Sequence, residues 1–436
     1  MKNKKLSLIW ATAIGIVLVI GSVVGTLVLT PVLTAGANGN AAVNSSSGSG
    51  TIVIAWNKEL LHIVLTPGAQ PATIHPTRNF AILHAAIYDT VVSITRDAPS
   101  YLFSVNAPST ARPDAAAAQA GHDTLVALYP KWKAALDQQL TSELATIPEG
   151  AGKQQGIQVG QAVATRLIAT RATDGSDTTP LPFVPGNQPG DYQLTPPKFV
   201  APVFTTWSNV TPFVLNDATQ FRPGPPPAVT SQAYAQSLNE VESLGQNTST
   251  TRTPEQTVIG KFWAGPIWNT WNEIAENAAL AHHTNLETTA RLFAVLNLSF
   301  ADSTIAFYDA KYHYQLWRPV TAIRLAKTAG NPAIVGDPTW TPLAPTALDP
   351  SYPSAHGVIS GDGATVLSDF FGNKDQIRVT SDVLPGTVRS FTSYTDVATE
   401  AGLSRIYAGQ HTQIDIEVGS ELGQNVAQFV ISDLGV

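Results

Sequence analysis

The chain contains no cysteine and a single methionine among its 436 residues. The missing cysteine excludes a disulfide framework, thiolate-bound zinc, an iron–sulfur cluster and a thiol nucleophile. So little sulfur leaves few easily oxidised side chains, which suits a protein that handles an oxidant, although plain compositional bias gives the same result. Charge is scarce as well: 13% of residues are Asp, Glu, Lys or Arg, and the net charge is −7. That acidic balance argues against nucleic acid as a partner. One long uncharged, mostly apolar run is present, Leu6 to Ala35, and no second membrane-crossing run is evident after it.

Lys2, Lys4 and Lys5 precede that run, and Ala35-Gly36-Ala37 has the small residues of a cleavage site. The run exceeds an ordinary signal core and is long enough to cross a bilayer uncleaved. Residues 1–37 therefore read either as a signal peptide or as an N-terminal membrane anchor, and both place the bulk of the chain outside the cytoplasm. Residues 38–51, with Asn44-Ser-Ser-Ser-Gly-Ser-Gly50, read as a flexible linker.

Beyond the linker the pattern is helical, so the expected class is all-α. Apolar residues recur at helical spacing over Trp56–Leu65, His75–Ile94, Arg112–Leu128, Lys131–Ile147, Gly150–Thr173, Ser231–Leu244, Arg252–Glu276 and Leu286–Gln315. Two further helices are expected over Thr395–Tyr407 and His411–Ile431. Ile377–Ser381 and Thr387–Phe391, either side of Pro385-Gly386, predict a minor hairpin. Leu181–Pro227 is rich in Pro, Gly and aromatics and reads as a long ordered connection against the helices. His84 and Asp89 fall inside a buried helix and read as core groups. Asp174-Gly-Ser-Asp177 reads as a turn rather than a cation loop. The adjacent His282 and His283 diverge on a helix and do not suit joint ligation. Trp263, Trp268 and Trp271 read as a core cluster that could also shape a pocket.

Chemistry concentrates between Lys311 and Asp415, where Lys311, Arg318, Ser354, His356, Arg405, His411 and Asp415 fall in three short segments. Lys311 and Arg318 are two helical turns apart, so they can share one face of a helix or its exit, which Pro319 marks. A guanidinium fork matches phosphate-like oxygens and a lysine adds a point charge. Ser354-Ala355-His356 precedes an apolar run that reads as a helix start, where free N–H groups and the dipole favour anions. Arg405 is a third cation. His411 and Asp415, four apart, are expected on one helical face with the carboxylate orienting the imidazole. His411 is then a candidate nucleophile or metal-type ligand, and His356 a candidate general acid or base.

These segments resemble the three-part signature shared by vanadium-dependent haloperoxidases and the type 2 phosphatidic acid phosphatase superfamily. Lys311-x6-Arg318-Pro319 and Ser404-Arg405-x5-His411-x3-Asp415 match in order and spacing, and Pro353-Ser354-Ala355-His356 departs at one position, where the family has Gly and this chain Ala355. The Pro-rich connection after a helical half is of a style found in bacterial haloperoxidases. The resemblance implies packed helical bundles of the haloperoxidase/acid phosphatase type: an N-terminal helical half over 52–230 and a C-terminal half over 231–436, with the site-bearing domain at about 286–436. It implies vanadate as cofactor, with Lys311, Arg318 and Arg405 neutralising its oxygens, Ser354 and the Ala355 amide hydrogen-bonding them, His411 bonded to vanadium, Asp415 orienting His411, and His356 as acid–base residue. It also places Asp349 near a position where those peroxidases carry an aromatic or His residue that tunes halide reactivity. His313 and Trp317 are further candidates for shaping that pocket.

The resemblance implies hydrogen peroxide, halide and an organic acceptor as the reacting partners. In the phosphatase alternative, His411 attacks phosphorus in a phosphate ester and His356 protonates the leaving group. A third reading is an oxyanion-binding protein without turnover. Contact with a membrane is expected only through the N-terminal segment, and the sequence carries no sign of an oligomeric state.

Overall fold

A computed structural model describes residues 49–435 of the chain. The expectations for residues 1–37, and for the linker up to residue 48, lie outside the described residues. The rest consists of helices α1 (Thr51–Leu65), α2 (Pro76–Thr95), α3 (Pro113–Leu128), α4 (Lys133–Ala145), α5 (Ala151–Arg171), α6 (Gln232–Gly245), α7 (Pro254–Phe262), α8 (Ile267–Ala281), α9 (Leu286–Tyr314), α10 (Pro319–Arg324), α11 (Ala355–Phe371), α12 (Tyr394–Tyr407) and α13 (Gln413–Asp433). One antiparallel hairpin, β1 (Lys374–Thr380) with β2 (Val388–Ser393), is inserted between α11 and α12.

Most boundaries follow local chemistry. His75 caps α2 through its ring nitrogen and Pro76 opens the helix, where its missing N–H costs nothing. Asn285 caps α9 by accepting from the Thr288 N–H at 2.8 Å. That helix ends because Gln315 turns left-handed, with φ 47°. The helix expected over Arg252–Glu276 is two helices. It breaks at Trp263–Pro266, because proline disfavours a helical conformation in the residue before it. Lys311 and Arg318 lie on either side of the α9 exit, the second of the two expected placements. His411 likewise precedes α13, whose cap is Thr412.

The main core draws on α1, α2, α3, α8, α9, α11, α12 and α13. Helix α9 runs through it: residues 292–311 are all buried. By length and composition alone α9 could cross a membrane, but almost all of its apolar window is buried against protein. A second cluster joins α6 and α10 to Trp317, Trp340 and Tyr352. Buried carboxylates pin the loops to these helices. Asp89 accepts from the N–H groups of Tyr101, Leu102 and Phe103 at 2.6–3.0 Å. Asp302 on α9 does the same for Phe213, Val214 and Leu215 at 2.6–2.8 Å. Asp309 on α9 holds Arg222 with two bonds of 2.6 and 2.8 Å. The core reading of His84 holds, as its Nε2 meets Asn57 Oδ1 at 2.8 Å. Asp174 is a turn residue paired with the Arg78 and Arg171 side chains, and His282 pairs with Asp375.

The Pro-rich connection is bonded to the segments that flank the two site cations. Tyr192 N–H donates to Gln315 O at 2.6 Å and Trp317 N–H to Gly190 O at 2.8 Å. Val203 N–H donates to Leu348 O at 2.9 Å, and the Tyr312 hydroxyl donates to Val203 O.

Candidate active site

Helices α9, α11, α12 and α13, with the residue that caps α10, deliver side chains to one buried cluster. Lys311, in the last turn of α9, is fully buried. Its ammonium donates to the carbonyls of Pro350 and, at 3.3 Å, Ser351. Arg318 is the residue before α10. Its Nε donates to Asp349 O at 2.7 Å, its Nη2 to the Asp349 carboxylate, and its Nη1 to Gln410 O at 3.1 Å. Nη1 also lies 3.0 Å from His411 Nε2. Arg405, in the last turn of α12, has only a 3.4 Å bond from Nη1 to Trp263 O, and its buried Nε has no partner.

Ser354 is the cap of α11, and its hydroxyl accepts from Gly357 N–H at 3.3 Å. Ala355 is the first helical residue. Helical backbone angles suit any L residue, so the Cβ that replaces the family glycine fits there without strain, and the helix-start N–H has no intrahelical acceptor. His356 follows, with Nε2 2.9 Å from Trp263 O. A carbonyl only accepts, so Nε2 carries the proton and Nδ1 the lone pair.

The start of α13 sits against the start of α11, with Ser354 N–H donating to Asp415 O at 2.9 Å. Glycines permit this approach: a Cβ on Gly419 would meet Ser354 O at 2.7 Å, and one on Gly423 would meet Val358 O at 1.9 Å. Asp415 and Thr412 form a reciprocal cap, and Asp415 Oδ2 also accepts from Ser351 Oγ at 2.7 Å. His411 Nδ1 is 3.5 Å from Asp415 Oδ2, and among the described residues neither Nδ1 nor Asp415 Oδ1 has a hydrogen-bond partner. The expected Asp415–imidazole bond is therefore a near contact. The ring's hydrogen bond comes instead from Arg318, whose N–H requires a lone pair on Nε2 and so places the proton on Nδ1, towards Asp415.

The electrostatics follow from three buried cations. Burial, with Arg318 nearby, brings Lys311 down to about 7. Burial, and then Arg318, brings Arg405 down to about 9. His411 is held well below its usual range by burial and then by Arg318, Lys311 and Arg405. His356 is lowered similarly by burial and Arg405. Burial pushes Asp349 up, but Lys311 and Arg318 outweigh it and hold the carboxyl below its ordinary value. Burial raises Asp415.

All the residues singled out between Lys311 and Asp415 for binding or catalysis thus meet, whereas two other candidates do not. His313 is exposed, and Trp317 turns into the second core cluster, donating to the Tyr234 hydroxyl at 2.5 Å. Two contributions were not foreseen, the pairing of Asp349 and the Trp263 carbonyl. Asp349 pairs with both Arg318 and Lys311, the latter at 3.7 Å. The Trp263 carbonyl, freed where α7 breaks from α8, receives both His356 and Arg405. Trp271 is a core residue bonded to Ser360.

Vanadate fits these residues. A buried guanidinium with an unpartnered Nε, a lysine lacking full counter-charge, a serine hydroxyl and a helix start are donors for oxygens, and an unprotonated imidazole nitrogen lies among them. The fold and this donor set define a class, all-helical proteins with a buried oxyanion cradle. A family model for the second helical-bundle domain of vanadium chloroperoxidase matches residues 291–434. Vanadium chloroperoxidase of Curvularia inaequalis is 24% identical over 237 residues, covering 40% of this chain. The chain spans 38% of that curated relative's length. The solved structure of a bacterial vanadium-dependent iodoperoxidase superposes with a TM-score of 0.77 at 26% identity, covering 88% of this chain and 97% of its own. A bacterial vanadium-dependent chloroperoxidase in its holo form superposes with a TM-score of 0.65 at 15% identity, covering 82% and 91%. Residues 291–434 thus resemble the second helical-bundle domain of vanadium chloroperoxidase, and the described chain shares the helical fold of the bacterial iodoperoxidase.

Proposed function

We propose that this protein is an exported vanadate-dependent haloperoxidase that uses hydrogen peroxide to oxidise halide. One observation carries the reading: a neutral imidazole, His411, presents its Nε2 lone pair to a buried cluster of Lys311, Arg318 and Arg405. Bound vanadate would supply a Lewis-acid centre that activates peroxide without changing oxidation state. Lys311, Arg318 and Arg405 would neutralise its oxygens, and Ser354 Oγ and the Ala355 N–H would donate to them. His411 Nε2, whose lone pair now faces Arg318 Nη1 at 3.0 Å, would be the residue atom that holds it. His356, neutral because of burial and Arg405, takes the peroxide proton at Nδ1 while Nε2 stays bonded to Trp263 O. Overall, halide, hydrogen peroxide and a proton yield hypohalous acid and water. An organic acceptor then takes the halogen. Export rests on the reading of residues 1–37 as signal or anchor.

The test is a paired assay on full-length protein, with and without vanadate. Peroxide-dependent bromination that needs vanadate and disappears in His411→Ala is the expected result. Phosphate-ester hydrolysis by vanadate-free protein, inhibited by vanadate and without bromination, would instead assign a phosphohistidine phosphatase. Oxyanion binding with neither activity would leave a binding protein.

A further inference from the structure

The carboxylate of Asp349 lies inside the cation cluster, where an oxyanion would need those charges. It contacts Arg318 Nη2, lies 3.7 Å from Lys311 Nζ, and is 6% exposed. Yet the side chain is not what anchors the two cations. Arg318 Nε is held by the main-chain oxygen of Asp349 at 2.7 Å and Nη1 by Gln410 O, while Lys311 is held by the main-chain oxygens of Pro350 and Ser351. The backbone of residues 349–351 thus fixes the positions, and the carboxylate adds one negative charge. Among the described residues Arg405 makes no salt bridge, its one side-chain bond being to Trp263 O.

We propose that Asp349 is a built-in counter-anion that competes with the incoming oxyanion for Arg318 and Lys311, and so sets the affinity and charge preference of the site. This rests on the cradle reading above. The Asp349 carboxylate makes the formal charge of the cluster one unit less positive than the same cluster with a neutral residue there. A buried like charge beside a bound anion is poorly screened, so it weakens binding in proportion to the anion's own charge. Asp349 is then a specificity-determining residue, one whose charge makes the site selective among tetrahedral anions.

The experiment is titration calorimetry of full-length protein in mild detergent with orthovanadate, sulfate and perchlorate. It compares wild type with Asp349→Asn, which keeps shape, and Asp349→Ser as a second variant. Thermal melts establish that each is folded. Removal of the charge is expected to tighten vanadate by at least about tenfold, the scale for losing one close buried like charge. The gain should be larger for dianionic sulfate than for monoanionic perchlorate of the same shape. Two results overturn the proposal while leaving the cradle intact. In one, the wild type binds vanadate and folded variants bind it equally or more weakly, which makes Asp349 a positioning residue. In the other, sulfate and perchlorate gain equally, which makes the effect steric. If neither wild type nor variants bind any of the three anions, the cradle reading itself falls, and this proposal with it.

Discussion

Lys311 and Arg405 are cations whose burial makes their protonation costly until an anion arrives. Lys311 is lowered from 10.5 to about 7, so between pH 7 and 10.5 the unfolded chain binds more protons than the empty folded protein. This group's contribution to stability is therefore present at high pH and lost as pH falls towards 7. A bound oxyanion restores the missing counter-charge, so the rise in melting temperature given by saturating sulfate, whose charge is constant over this range, should be larger at pH 7 than at pH 10. An equal or larger rise at pH 10, measured by calorimetry, would show that Lys311 is not part of the anion's environment. Most of the individual site residues were legible in sequence, because about ten specified positions recur in fixed order. Asp349 was visible as an oddity but its partners were not. It reaches Arg318 and Lys311 through a loop, 31 and 38 positions away, and no periodicity links them. The Trp263 contribution is a main-chain oxygen, which leaves no mark on side-chain pattern at all.

The pairing of α11 with α13 is what brings Ser354 to Asp415. It depends on Gly419 and Gly423, where a Cβ would press on backbone oxygens. Gly419→Ala should cost about 1–3 kcal/mol of stability and, because it pushes on the Ser354 carbonyl, also weaken oxyanion binding. Gly423→Ala acts a turn further from the site, so it should lower the melting temperature at least as much, with a smaller loss of affinity in the folded fraction. Paired melts and anion titrations separate the two effects. If Gly419→Ala leaves anion affinity unchanged, the cap of α11 is not held by α13. Helix existence was readable from apolar spacing. Helix ends were less so, as at the α7–α8 break and at His411, where tertiary bonds and caps outweigh periodicity. Those breaks carry functional groups because an interrupted helix exposes main-chain oxygens and loop side chains.

Across the whole molecule, the Pro-rich connection is tied to the residues beside Lys311, Arg318 and Asp349. Phe199 stands on it largely exposed, at 59%. Four residues on, Val203 bonds to Leu348, the neighbour of Asp349. Saturating vanadate should therefore slow chymotryptic cutting after Phe199, followed by mass spectrometry. Unchanged cutting would mean that the connection does not sense the site. Composition was enough to mark this stretch as ordered, but its docking partners were not readable, since irregular backbone bonds follow no repeat.

Helix α9 carries Asp302, Asp309 and Lys311 on one rod. Asp302 is fastened to residues 213–215, and Lys311 to residues 350–351. Nine residues separate the two fastenings, about 13 Å of rise at 1.5 Å per residue. Each residue added or removed between them swings Lys311 by about 100° around the axis as well as shifting it. The chain can thus vary in length at the exposed tip of its connection, but this interval is a ruler with a phase. A gene that gains or loses one codon there loses the lysine from the cradle while every helix remains a helix.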